Sequence, residues 1–548
     1  MVRNYYVRRY DNTGRGVDYE PFNRPYGAFD YTLCGEDTNG DGVSDRVYAK
    51  NESTGTVEVE GGADIISVFN AVKSKLSNVL RIKKIRICGN FVADNSGGPF
   101  ELDSNMYVQL DGTIKAKDPT KTLVEASDVS NVWLVGGVWD GNCGGNYGGD
   151  VPVRVIHFDH VANGFIRDLE VRNGYSRGIE VDYPDFVVIE NVVSHDNYRN
   201  FMHWVQSSDL ASWDGVAIFK NVKSYNAQNN GLDGTSPALI IDGFISKNDG
   251  TSIAIDGYRK ILLRNIYAEK GLNIGAGAWA GNIAVDATLN GIYTNKIYMW
   301  FGVGASSIKI NNVTVDGSGG NGIELHIKSD SNVEYVLFDN VEVKNFAWAG
   351  IVLTRDSTAA GRFSVVEMNN TVARDGAQRG FYLYYVDYLR MTNCVAKGND
   401  WRGFVIANSN YVEMVNCSAI KAGAYNQDGP LDLDTITTFR ALGCHFETGG
   451  VGVNLTSVTG YKFESCTGNY PKTKNDGTAS FTGDGSTTTF TIPHGLVAQP
   501  SKYFVQPLSA DAMSTPYDVS VDSTNITITF SSPPASGATL KFYWYAEV

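Results

Sequence analysis

One phrase recurs through most of this sequence and limits the fold more than any other feature. It reads apolar, polar, Asn, apolar, and then alternates. Examples are IENVVSHDN (189–197), FKNVKSYN (219–226), LRNIYAEK (263–270), FDNVEVKN (338–345), MTNCVAKGN (391–399) and MVNCSAIKA (414–422). The residue after the Asn sets a register: Leu169, Val192, Val222, Phe244, Ile266, Ile292, Val313, Val341, Thr371, Cys394, Cys417, Cys444 and Cys466. The base step is 22–23 residues, with insertions of a few. Such a period belongs to a coiled β-solenoid, in which each coil is about three short strands joined by turns.

A second phrase sits between these repeats. It is Gly, Asn or Ser followed by apolar-x-apolar-x: GIEVD (178–182), NFMHW (200–204), GLDG (231–234), SIAID (252–256), NIAVD (282–286), GIELH (322–326), GIVLT (350–354) and GFYLY (380–384). Strict alternation marks strands with one face in a core and one in water. Few Asn-Gly or Asp-Gly pairs join the runs, which argues against a meander of hairpins. The expected fold is all-β, a right-handed parallel β-helix over residues 61–470.

The flanks differ. GADIISVFNAVKSKL (62–76) has apolar residues at helix spacing and predicts a short amphipathic cap over the open solenoid end. Residues 1–60 lack the repeat and read as an appended N-terminal segment. Beyond residue 470, polar sequence leads into TTTFTIPHGL, KYFVQPLS, DVSVDSTNITITFSS and ATLKFYWYAEV, so 471–548 are expected to be a linker and a small β-sandwich.

Charge and composition exclude several partners. Lys+Arg is 46 against 60 Asp+Glu, a net charge of −14. Phosphate recognition needs a basic face, so nucleic acid is not an expected partner. No run of about 18 apolar residues occurs, so no membrane span is expected, and the first residues show no secretory signal. The seven cysteines include Cys394, Cys417, Cys444 and Cys466 at a repeat position that is Val, Ile or Phe elsewhere. They are expected to stack as small core residues rather than as disulfides or a metal site. The preceding asparagines are expected to form a ladder in the turn. No organic cofactor motif is present.

One local motif points to a metal. EDTNGDGVSD (36–45) places Asp37, Asn39, Asp41, Val43 and Asp45 at positions 1, 3, 5, 7 and 9 of a calcium-type loop, with Gly42 at the sharp turn. Tyr48 stands where an EF-hand has its bidentate Glu, so the match is to shorter calcium loops of extracellular proteins. The expected role is structural.

The outward positions of the second phrase define the candidate site. They are Glu180 and Asp182, Met202 and Trp204, Asp233, Asp256, Asp286, Glu324 and His326, then Tyr382 and Tyr384. Coils stack about 4.8 Å apart, so these predict an acidic stripe with aromatic residues at its ends. Aromatic faces suit sugar rings, and paired carboxyls suit glycosidic chemistry, one as acid and one as nucleophile or base. The carboxylates and His326 are the candidate catalytic groups. Arg177, Arg199, Trp204, Tyr382 and Tyr384 are candidate substrate contacts. His203 is pointed inward by the alternation, as a core residue or, if it reaches the groove, a further substrate contact.

The segment IRICGNFVADN, YVQLDGTIKA, NVWLVGGVWDGN after the cap resembles the start of pectate-lyase-like β-helix proteins, over roughly 60–470. RNGYSRGIEVDYPDFVVIENVVSHDN (172–197), with WDGN at 139–142, resembles the rungs of mannuronan C5-epimerases and related alginate lyases. In that alignment Arg177 replaces the family's Tyr, Glu180 its Asp and Asp182 its His, so the acid/base pair is altered. The C-terminal module resembles those of viral tail fibres and tailspikes.

These resemblances imply three readings. The first is a polysaccharide-cleaving enzyme of tailspike-like or secreted type. The second is a uronate-polymer lyase or C5-epimerase centred on 177–203. The third is a non-catalytic glycan-binding fibre. An extracellular or virion-surface location is implied, and a homotrimer if the chain is a tailspike.

Overall fold

The computed structural model describes residues 8–10, 16–18 and 27–548, apart from 63, 207, 211, 277–284, 303, 421–428 and 448–451. Most of the expected N-terminal segment before residue 27, and positions 282–284 of the NIAVD repeat, lie outside the described residues. The chain divides into two compact units, Met1–Gly281 and Asn282–Val548.

In the first unit, parallel strands pair coil upon coil. Arg154–Asp159, Arg177–Asp182 and Arg199–Trp204 lie in register, as do Ala162–Arg167, Phe186–Glu190 and Val216–Tyr225. Inward residues form unbroken columns. Ile85, Val108, Leu134, Ile166, Ile189, Phe219, Ile241 and Leu263 follow one another on neighbouring strands. All are buried. Each such side chain stabilises the fold by roughly 1.5–3 kcal/mol relative to exposure.

The cap helix spans Ile65–Lys75. The Asp64 carboxylate accepts from the Ile66 and Ser67 amides, and Ile65, Ile66, Val68, Phe69 and Val72 are buried. Phe69 meets Phe100 edge to face at 5.3 Å. Ahead of the helix, Tyr31–Glu36 runs parallel to Lys83–Ala93 and antiparallel to Arg46–Asn51.

The second unit repeats the architecture. Leu289, Ile310, Phe338, Met368, Met391, Met414, Ala441 and Phe463 form one inward column. Cys394, Cys417, Cys444 and Cys466 are buried free thiols. The Cys394 thiol donates to the Met368 carbonyl, Cys417 to Met391 and Cys444 to Met414. Two three-stranded antiparallel sheets follow. One is ordered Lys474–Thr482, Thr539–Glu547, Lys502–Pro507, the other Thr489–Pro493, Asn525–Phe530, Tyr517–Val521. Ile526, Ile528, Phe530, Leu540, Phe542 and Trp544 form their common core.

The repeated Asn has a conformational cause. Asn191, Asn221, Asn265, Asn312, Asn340, Asn370, Asn393 and Asn416 all have φ between 50° and 56°. This left-handed region costs other L-residues roughly 1–2 kcal/mol, and Asn tolerates it best after Gly. Gly243 (φ 80°) and Gly443 (φ 63°) fill the same turn where Asn is absent. Stacked amides bond between coils as well: Asn340 donates to Asn312 at 2.7 Å and Asn393 to Asn370 at 3.2 Å.

Candidate functional site

In the first unit three successive strands open on Arg154, Arg177 and Arg199. Further along them an outward row reads Glu125, His157, Glu180, Met202, Asp233, Ala254. The row beyond holds Asp159, Asp182 and Trp204. Alternation puts these two rows on the outer face, and the arginines at the strand starts fold back onto them, so the cluster is largely covered. Glu180 is 1% exposed and His157 7%. Arginines and the turn carrying Asp150 cover it.

Charges interlock across these rows. Glu180 is bonded by Arg154 and, through both oxygens, by Arg177 Nη1 at 2.6 and 2.7 Å. Arg177 also reaches Asp150 at 2.9 Å. Arg199 contacts Asp150 at 2.6 Å and Asp233 at 2.9 Å. His157 lies between Glu125 (3.3 Å) and Asp182 (3.1 Å).

The environments split the three carboxyls. Burial opposes ionisation of Glu180, but Arg154 and Arg177 hold it below the usual range. Burial raises Asp182, and the charge of Glu180 adds to this against the pull of His157 and Arg154. Asp182 Oδ1 is buried and has no hydrogen-bond partner among the described residues. Burial also raises Asp233, opposed by Arg199 and helped by the nearby Asp256. For His157, burial works downward, but the carboxylates of Asp182 and Glu125 push it up to about 9.

His157, Glu180 and Asp182 bring ligand-type atoms within 4.8 Å of one another. Arg154 bonds Glu180 and lies 3.7 Å from Asp182, so a guanidinium already supplies the positive charge a metal would bring.

The other sequence candidates are distributed as follows. Trp204 is 42% exposed on the coil next to Asp182. Asp256 is exposed at a register shift between the strands. His203 is corrected to a core residue: it is fully buried, its ring nitrogens bonded to the Val181 carbonyl and the Ser236 hydroxyl, and it cannot touch a ligand. Burial takes it down to about 4.

Asp286, Glu324, His326, Tyr382 and Tyr384 belong to the second unit. Asp286 is exposed. His326 bridges Glu324 at 3.2 Å and Asp356 at 2.7 Å, and these carboxylates raise it against burial. Tyr382 and Tyr384 pack at 4.4 Å, with Arg379 over Tyr382. Sequence reasoning missed Glu125, Asp150 and His157. The last was findable by stacking RVIHFD on RGIEVD, where His157 falls beside Glu180.

In the 37–45 loop the Asp37 carboxylate accepts from the Gly40, Asp41 and Gly42 amides, which hold it below its usual range. The Asn39 side chain accepts from Asp41 N and that of Asp41 from Val43 N. Asp45 accepts from Thr38. The oxygen donors suit calcium, though several already serve the loop's own amides.

A family model described as the right handed beta helix region matches residues 325–491. With the coiled parallel strands, this identifies a right-handed parallel β-helix protein. No curated protein matches the chain. Among solved structures, one that matches is the tailspike of E. coli bacteriophage HK620 in complex with a pentasaccharide. It is 10% identical, covering 91% of this chain and 92% of that one, at a TM-score of 0.41. Another is the A-module of an Azotobacter vinelandii mannuronan C-5 epimerase, 14% identical over 75% and 96%, at 0.29. A third is a tailspike of Acinetobacter baumannii bacteriophage AP22 in complex with capsular saccharide, 10% identical over 88% and 94%, at 0.37.

Proposed function

We propose that the chain acts on a polysaccharide and hydrolyses it at the Asp182–Asp233 cluster of the first unit. One observation carries this reading. Three neighbouring carboxyls are held differently, with Glu180 lowered and Asp182 and Asp233 raised. A raised carboxyl can keep a proton to donate, and of the raised pair Asp233 is the one that the Arg199 charge pulls back towards the ionised form.

Asp182, raised by burial and by the charge of Glu180, is the proton donor to the leaving oxygen, passing on the proton it shares with His157 at 3.1 Å. Asp233, oriented by Arg199, is the base that takes a proton from water. Glu180, locked by two arginines, positions the cluster and does not attack. Asp233 stands in register with Glu180 two coils on, and so lies diagonally from Asp182, with a backbone separation of about 11–12 Å. That wide separation suits an inverting mechanism, which needs room for a water, better than a retaining one. Trp204, exposed beside Asp182, offers a ring for a sugar to stack on.

The lyase or epimerase reading is weaker on the same geometry. Arg154, Arg177 and Arg199 are each engaged by protein carboxylates, so none is free to neutralise a uronate. His157 keeps its proton to about 9 and is a poor base at neutral pH. A binding-only fibre would use the same face without turnover.

Steady-state kinetics separate these readings. Asp182→Asn and Asp233→Asn should each lower kcat by about 10²–10⁴-fold. Trp204→Ala should raise KM and leave kcat nearly unchanged. Unchanged turnover in both Asn variants would rule the hydrolase out. The reading further proposes an extracellular or virion-surface protein, trimeric if a tailspike, which light scattering would show as three chain masses.

A further inference from the structure

We propose that Cys34 and Cys88 are a disulfide-forming pair that fastens the N-terminal strand to the solenoid under oxidising conditions. The two residues lie directly opposite each other on neighbouring parallel strands, Tyr31–Glu36 and Lys83–Ala93. Neighbouring strands are about 4.8 Å apart, inside the 4.4–6.8 Å Cα range that a disulfide spans. Leu33, Ile85 and Ile87 of the same strands are fully buried. Alternation therefore puts both thiols on the outer face, where they are part-exposed.

The other five cysteines differ. Cys143, Cys394, Cys417, Cys444 and Cys466 are all buried. A soluble disulfide reagent meets only the Cys34–Cys88 pair. Nearby groups do not block it. Cys34 faces Tyr48 on its other side, and Asp111, next in register after Cys88, lies 3.9 Å from the Cys88 sulfur. Burial raises both thiols above their ordinary value, so they are protonated at neutral pH and exchange slowly there.

The oxidant is a low-molecular-weight disulfide such as oxidised glutathione. The thiolate of one cysteine attacks a glutathione sulfur, breaks its S–S bond and releases one glutathione thiolate. The second cysteine thiolate then attacks the protein sulfur of the mixed disulfide and releases the second glutathione. Two protein thiols are oxidised, and one glutathione disulfide is reduced to two thiols that carry off the two protons.

The cross-link would tie together residues 54 apart in sequence and enclose both the 37–45 loop and the cap helix. Opening of this terminal segment would then require breaking a covalent bond rather than fraying one strand.

The test incubates the full native chain with oxidised glutathione in mildly alkaline buffer, then alkylates and maps it by mass spectrometry. The expected result is joint loss of alkylation at Cys34 and Cys88, with their two peptides covalently joined. Cleavage within 37–45 by an added protease should slow by about tenfold or more on oxidation, and reductant should reverse this. In Cys34→Ser, glutathione should remain on Cys88 as a stable adduct. The proposal is overturned if native chain carries stable glutathione on both cysteines, if both stay alkylatable, or if the cross-linked form is cleaved as fast as the reduced one.

Discussion

Two buried histidines give the first unit opposite pH dependences of stability. His157 titrates at about 9 in the folded chain against an ordinary 6.5. The folded state binds that proton more tightly, so its contribution is complete below pH 6.5 and gone once pH rises through 9. Linkage puts it at about 3 kcal/mol. His203 acts in the opposite sense. Held near 4, it contributes fully above pH 6.5 and loses that contribution as pH falls towards 4. Urea midpoints should therefore fall on both sides of neutrality, and His157→Gln should flatten the alkaline limb alone. An unchanged alkaline limb in that variant would show that the Glu125–His157–Asp182 chain of contacts does not hold the proton. At this scale the sequence was half legible. Alternation placed His203 inward beside outward Trp204, as observed. It did not show that Glu180 would be covered, because covering depends on where the Arg154 and Arg177 side chains fold back.

Elements were more legible than residues, because each rests on a local physical rule repeated many times. The turn Asn is required by a positive φ that few other residues tolerate, so it recurs wherever the coil turns. Asn393→Ala should cost about 1–2 kcal/mol, from backbone strain plus the lost bond to Asn370, whereas Asn393→Gly should cost less. Equal losses in thermal unfolding of the two variants would show that backbone strain is not the cause. The cap helix follows the same logic. Asp64→Ala removes the acceptor for two helix amides and should cost about 1 kcal/mol. The proposed calcium loop makes a further prediction. Added calcium should protect the 37–45 segment from proteolysis, and a chelator should reverse it. Indifference to both would leave the loop as a self-bonded turn.

Across the whole molecule, the period was readable because every coil must present the same inward residue to its neighbours. The site was harder to read because its members come from coils of unequal length. Glu125 and His157 are partners on adjacent strands but stand 32 positions apart, well off the base step. RVIHFD also lacks the leading Gly, Asn or Ser of the other groove strands, so the repeat pattern passed over it. Asp150 sits in an insertion between strands, where no periodicity applies. The stripe read from the sequence also falls into two groups. Glu180, Asp182 and Asp233 lie in the first unit, and Asp286, Glu324 and His326 in the second. Only the first has carboxyls driven in opposite directions.

The central claim is that the Asp182–Asp233 cluster hydrolyses a polysaccharide. The most direct measurement is proton NMR of a polysaccharide panel, polymannuronate included, incubated with the native chain and with Asp182→Asn. The account predicts new reducing ends of inverted configuration, no unsaturated sugars, and near-complete loss of the new reducing ends in the variant. Unsaturated ends, uronates converted without chain cleavage, or cleavage undiminished in Asp182→Asn would contradict it.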